Sequence, residues 1–224
     1  MVAPAWHTIG LLVLFVGLSL LDASAAPNDR GASNAPRPLL YGLVILFQWI
    51  LFGLTYWGLR LRRVSIASVI AYRWSGWGGL GRCLLLSAVC WVTAFLGVTV
   101  GFEATGLRDP DEARRIIESF LPHGPLELSL WVLLSLTAGF VEEFVFRGYV
   151  QRQFSAWTRN HLAGAALTAM VFGVGHLYQG PATALLITSA AFGVSLFAYA
   201  ARSLVPGMVA HAFEDVISGI FGRA

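Results

Sequence analysis

Residues 39–59 read LLYGLVILFQWILFGLTYWGL, a stretch with no charged side chain. A bilayer-crossing helix needs about 20 mostly apolar residues, so this run has the length and composition of one span. Working outward from it, residues 8–21 are also free of charge, and small residues follow to Ala26. Towards the C-terminus, apolar runs recur at 83–102, 128–141, 162–175, 181–201 and 204–222. The spacing predicts an all-α fold, a polytopic transmembrane helix bundle of about seven spans. Composition agrees. Hydrophobic residues make up 57% of the chain and charged residues 12%, with a mean hydropathy of +0.69. A soluble domain carries about 25% charged residues, so lipid is the expected solvent for most of this surface. Disorder, an acidic tail and a soluble nucleic-acid binder are excluded. All the positive charge is arginine, and the net charge of +3 is spread over connecting segments. There is no basic stripe of the kind a nucleic-acid site needs.

The connecting segments suggest an orientation. Loop 60–82 contains Arg60, Arg62, Arg63, Arg73 and Arg82 and no acid. The positive-inside bias makes it cytoplasmic, which places the N-terminus inside and, with seven spans, the C-terminus outside. Tyr72, Trp74 and Trp77 in the same loop suit an interfacial aromatic belt. Ala23-Ser24-Ala25 has the look of a signal-peptidase site, but residues 1–8 lack the Lys or Arg of a signal n-region, so an uncleaved first helix is expected. Residues 109–121 read as a short amphipathic helix. Asp109 is its cap, Pro110 fits its first position and Glu112 completes a capping box. Its apolar face is Ala113, Ile116, Ile117, Phe120 and Leu121, and Pro122 stops it. It is expected to lie on the membrane surface as a connector, with a lid over an active site as the alternative. Cys83 and Cys90 share a helix face too far apart for a disulfide and read as buried small hydrophobes. No internal repeat is evident. The chain reads as a single membrane domain, 1–224, with motif-free spans in 1–127 and a motif-bearing core in 128–222.

Charged groups inside spans are costly, about 2.5–3.5 kcal/mol each on insertion scales, and here they fall into three clusters. In the first, Glu142-Glu143-Phe144-Val145-Phe146-Arg147, Glu143 and Arg147 stand at i and i+4 and can pair on one helix face. Glu142 points about 100° away and lacks an intrahelical cation, which suits a general base or acid. The second is Phe172-Gly173-Val174-Gly175-His176, with glycines that allow close approach. The third is His211-Ala212-Phe213-Glu214-Asp215, where the i, i+4 pair His211 and Asp215 can orient an imidazole or supply two ligands to one centre. Each cluster alone has a plain structural reading. Together, on spans four, five and seven, they are what a water-activating site requires: one group takes the proton and others orient the water and stabilise an oxyanion.

EEFVFR at 142–147, FGVGH at 172–176 and HAFED at 211–215, in this order, resemble the CPBP family of CAAX proteases and bacteriocin-processing membrane endopeptidases. Its pattern is E-E-x-x-x-R, then F-x-x-x-H, then H-x-x-x-N or D. The likeness covers roughly 128–222 and includes the F-R-G ending Phe146-Arg147-Gly148. It implies a hydrolase that cleaves a peptide bond in or at the membrane, with Glu142 as the water-activating base beside His176. It makes Glu143 and Arg147 a supporting pair, and His211 and Asp215 the remaining site members.

Metal dependence stays open at this point. Family names often say metalloprotease, and a Zn2+ ion would draw on Glu142, His176, His211 and Asp215. The metal-free reading, which is preferred, uses Glu142 and His176 on water and His211 with its partner on the oxyanion. Asp215 stands where many relatives carry Asn. An ionised Asp cannot donate to an oxyanion, so Asp215 must be protonated, orient His211 or bind metal. Other readings are an ion-coupled transporter, since intramembrane Glu, His and Asp also serve proton relays, and a non-catalytic immunity or scaffold member of the same fold. Serine intramembrane proteolysis lacks its motif, and a soluble-type zinc protease lacks H-E-x-x-H. The expected partners are a peptide or protein substrate, membrane-anchored or not, and the lipid bilayer, with no nucleic acid. The lysine-free, Ala-, Gly- and Arg-rich composition points to a GC-rich bacterial source and hence to the inner membrane.

Overall fold

A chain in lipid must satisfy its backbone hydrogen bonds internally, which leaves the helix as the way to use a single apolar run. The computed structural model describes residues 1–24, 36–71, 76–107, 118 and 120–222, and among them it contains helices and no strand. The helices are α1 (Ala5–Ser24), α2 (Arg37–Leu61), the short α3 (Ile66–Ile70), α4 (Gly76–Glu103), α5 (Pro125–Thr158), α6 (His161–Val174), α7 (Pro181–Ala201) and α8 (Val205–Phe221). Prolines stand in the first two positions of α2, α5, α7 and α8, where the missing N–H would have no helical partner. Asn160 caps α6 by accepting from Leu162 N and Ala163 N.

Five helices, α1, α2, α4, α5 and α7, are long and apolar enough to cross a membrane. The expectation was about seven spans. The two remaining apolar runs form α6, with 14 residues, and α8, with 17. The run 128–141 is only the first part of a helix. It continues through the charged cluster to Thr158, making α5 34 residues long, about 50 Å at 1.5 Å per residue. Glu142 and Glu143 stand near its middle. Two helices contain π-helical turns, Trp91–Leu96 in α4 and Glu143–Val150 in α5.

α5 is the axis of the bundle. Val141, Phe144, Val145, Tyr149 and Val150 are fully buried, packed among α1, α2, α6 and α8. Small residues set the approaches. A Cβ on Gly139 would lie 2.7 Å from Met208 O and 2.8 Å from Ala212 Cβ, so α8 crosses against the bare backbone of α5. A Cβ on Gly164 would meet Ser155, and the Phe146 and Phe172 rings touch at 4.8 Å between centroids. Those two contacts set an antiparallel register of α6 on α5. α6 climbs only about 21 Å from the far end of α5, so it brings His176 level with the glutamates instead of carrying it to the opposite face.

Exposed side chains on α1 and α2 include Ile9, Val13, Leu14, Leu43, Leu46 and Ile50, an apolar coat suited to lipid. Cys83 and Cys90 are buried free thiols, as expected. The expected interfacial Trp77 is exposed, whereas Tyr72 and Trp74 lie outside the described residues, as does Ala25 of the possible cleavage site. Most of the expected amphipathic helix, including Asp109, Pro110 and Glu112, also lies outside them. Of its apolar face, Leu121 is buried and Phe120 meets Tyr178 edge to face at 5.9 Å.

Candidate active site

The site is built from the π-helical turn of α5 inward. π-bulges recur at functional sites, and this one begins at the second glutamate. Glu143 is 1% exposed, and its Oε1 lies 3.1 Å from Arg147 NH1, the pair predicted from the i, i+4 spacing. Arg147 also donates from NH2 to Ala191 O at 3.1 Å and stacks its guanidinium over Phe172 at 4.9 Å. Three contacts on three helices hold it, and it in turn fixes Glu143.

His211 is the junction. Its Nδ1 lies 2.9 Å from Glu143 Oε1. A carboxylate accepts, so Nδ1 carries the proton and Nε2 is aimed the other way. There it faces Glu142 Oε2 at 3.8 Å and Asp215 Oδ2 at 3.7 Å. Sequence spacing placed Asp215 beside this imidazole, either to orient it or to share a centre with it, and the two do lie side by side. The direct hydrogen bond is the one to Glu143, and Asp215 stands at ion-pair distance from the other nitrogen. Asp215 is held through its own backbone, where Trp131 Nε1 donates to its carbonyl at 2.7 Å. Glu214 turns away and accepts from Trp91 Nε1 at 2.6 Å.

Glu142 accepts from Gln48 Nε2 at 2.9 Å. Gln48 was not among the residues singled out from sequence. Its signal was available: a lone amide amid the apolar run 39–59. Trp91 and Phe95, whose ring lies 5.8 Å from His211, come from α4 and carry no comparable signal. His176 donates from Nδ1 to Phe172 O at 2.9 Å, because a carbonyl can only accept, and its ring lies 4.7 Å from Phe172. Phe172 is near both histidines, its ring lying 6.4 Å from that of His211. The structure therefore gathers Glu142, Glu143, Arg147, His211 and Asp215 into one cluster, and His176 and His211 both neighbour the Phe172 ring.

The four candidate metal ligands do not converge on one centre. Among the described residues no group of three or more His, Cys, Asp or Glu side chains could hold a metal ion. Glu142 and Asp215 approach His211, while His176 Nδ1 is engaged by Phe172 O. The side chains as placed do not fit Zn2+.

Residues 124–217, which contain all three motifs, match the family model described as Type II CAAX prenyl endopeptidase Rce1-like. This segment is similar to the Rce1-like family. No curated protein and no solved structure matches the chain. The Rce1-like segment opens one residue before α5 and closes two residues past Asp215, so it contains α5, α6, α7 and most of α8. The family it resembles is described as one of endopeptidases. Two side chains from outside the segment, Gln48 and Phe95, reach its polar cluster, and a third, Trp91, holds Glu214.

Proposed function

We propose that this protein is an intramembrane endopeptidase of the Rce1-like type that hydrolyses a peptide bond near the membrane with water activated by Glu142. The observation that carries this reading is the His211 ring. One nitrogen is tied to the buried Glu143–Arg147 pair, and the other faces two further carboxylates, Glu142 and Asp215. A merely structural salt bridge would not leave a second carboxylate pair around the free nitrogen.

In this reading Glu142 takes a proton from water as the hydroxide adds to the scissile carbonyl carbon. The oxyanion that forms accepts a hydrogen bond from Nε2–H of His211, which is an imidazolium from the start and throughout the cycle, its charge balanced by Glu143 and Asp215. Collapse breaks the C–N bond, and the proton held by Glu142 passes to the leaving amine. His176, with its proton on Nδ1, offers Nε2 as an acceptor that orients water or substrate. Glu143 and Arg147 act through His211 and are positioning residues. The core is residues 128–222, with 1–127 completing its walls. Seven helices, the five long ones and the shorter α6 and α8, are embedded in a bacterial inner membrane. The substrate is a peptide or protein segment held at the membrane.

Glu142→Gln tests the assignment in a cleavage assay with purified protein. General-base catalysis contributes about 10²–10⁴ in rate. The variant is expected to lose at least a hundredfold in kcat while keeping its unfolding temperature. Cleavage at the wild-type rate would remove Glu142 from the chemistry.

A further inference from the structure

A second polar feature lies away from the Glu142–His211 cluster, on the far side of Arg147. A cavity of about 630 Å³ opens between the end of α5, the start of α6 and the turn from α7 to α8. Its polar wall includes Arg147, Gln151, Arg152, His161, Arg202 and Ser203, and none of the residues lining it is an acid. Three guanidinium groups and an imidazole thus share one cavity. Arg152 is fixed by donating to Ser68 O at 3.1 Å and Val69 O at 2.7 Å. His161 is stacked on Tyr199 at 4.3 Å. Arg202 and His161 are exposed at the mouth.

The inner wall is incompletely satisfied. Arg147 is 3% exposed, and its Nε has no hydrogen-bond partner among the described residues. Gln151 is 6% exposed; its Nε2 donates to Ser195 O, which leaves Oε1 as an acceptor with no partner. Buried polar atoms without partners are rare and call for an explanation such as a bound group. The requirements are specific: anionic oxygens for the guanidiniums and a hydroxyl donor for Gln151. A phosphodiester with a hydroxylated headgroup supplies both. The cavity lies where helix ends meet, at the end of α5, the start of α6 and the turn from α7 to α8, and basic pockets between membrane helices bind anionic lipid heads.

We propose that this cavity binds a phosphate group, supplied by an anionic phospholipid headgroup or by free phosphate. Phosphate in the cavity shares Arg147 with Glu143, so occupancy is felt at His211. The binding itself is independent of the protease reading and is measured without cleavage.

The experiment uses full-length protein in detergent. Native mass spectrometry and thermal unfolding follow the addition of phosphatidylglycerol, phosphatidylcholine or inorganic phosphate. One equivalent of phosphatidylglycerol is expected to be retained, with a rise in unfolding temperature that phosphatidylcholine does not produce. The double variant Arg202→Gln/His161→Gln is expected to weaken retention at least tenfold while keeping the lipid-free unfolding temperature. Stabilisation by inorganic phosphate without retention of phosphatidylglycerol assigns the site to the free anion. Failure of the wild-type protein to respond to either probe overturns the proposal, whatever the variant does. So does undiminished retention by a folded double variant.

Discussion

His211 has one nitrogen in a hydrogen bond to a carboxylate that Arg147 already holds, and this decides where its second nitrogen points. Glu142, one residue earlier on α5, reaches that second nitrogen because adjacent helical residues diverge by about 100°. What fixes Glu142 itself is Gln48 on α2, through a hydrogen bond of 2.9 Å. Gln48→Leu has a similar volume and also removes the unpartnered Oε1 of the amide, so it should cost little stability. A hydrogen bond to a charged group is worth about 1.5–3 kcal/mol. If that bond aims the base, kcat is expected to fall by roughly tenfold or more with KM little changed. A loss of stability with unchanged kcat would give Gln48 a structural role only. The Glu143–Arg147 pair could be read from sequence because it is local, two residues a helical turn apart. The Gln48–Glu142 bond could not, because a contact between helices depends on their rotation and register, which spacing along one chain does not encode. The i, i+4 pair His211 and Asp215 was visible from spacing and lies 3.7 Å apart, whereas the cross-helix hydrogen bond from His211 to Glu143 was not.

α5 shows the same limit one level up. Hydropathy marks 128–141 as a span because Glu142, Glu143 and Arg147 then interrupt the run, yet the helix passes through them since each charge has a partner on another helix. Likewise 162–175 could be recognised as an apolar run. That α6 stops halfway along α5 follows from Gly164 on Ser155 and Phe172 on Phe146, contacts between segments. Gly139 shows how a helix approach governs the site. With a Cβ that would stand 2.7 Å from Met208 O and 2.8 Å from Ala212 N, Gly139→Ala must push α8 away. His211, one residue before Ala212, must move with it. Overpacking of this kind costs about 1–3 kcal/mol. Gly139→Ala is expected to lower the unfolding temperature and cleavage together. Gly42→Ala on α2, where an added Cβ meets nothing within 4 Å, serves as the matched control and should leave both unchanged. Equal behaviour of the two variants would show that close packing of α8 on α5 does not hold the cluster together.

The whole molecule poses the question of whether the helices outside the Rce1-like segment belong to the same unit. Tyr149, fully buried on α5, meets His7 Nδ1 at 2.7 Å and Thr8 Oγ1 at 2.9 Å on α1. Gln153, one turn further, accepts from Val2 N and Ala3 N at 3.0 and 3.3 Å and donates back to Ala3 O. A Cβ on Gly58 of α2 would fall 2.6 Å from the His7 ring, so α1, α2 and α5 lock at one point. In lipid the apolar faces of these helices gain nothing by leaving the bilayer, so side-chain hydrogen bonds and close packing must hold them together. Removing either partner of a buried bond strands the other. A double-mutant cycle therefore isolates the pair: His7→Ala and Tyr149→Phe, singly and combined, followed by reversible unfolding in micelles. The coupling is expected at about 0.5–1.5 kcal/mol, the usual net worth of one hydrogen bond, with both single variants less stable than wild type. Strictly additive losses would mean that α1 rests beside the protease core without being part of its fold, and that residues 1–127 and 128–222 are separable units.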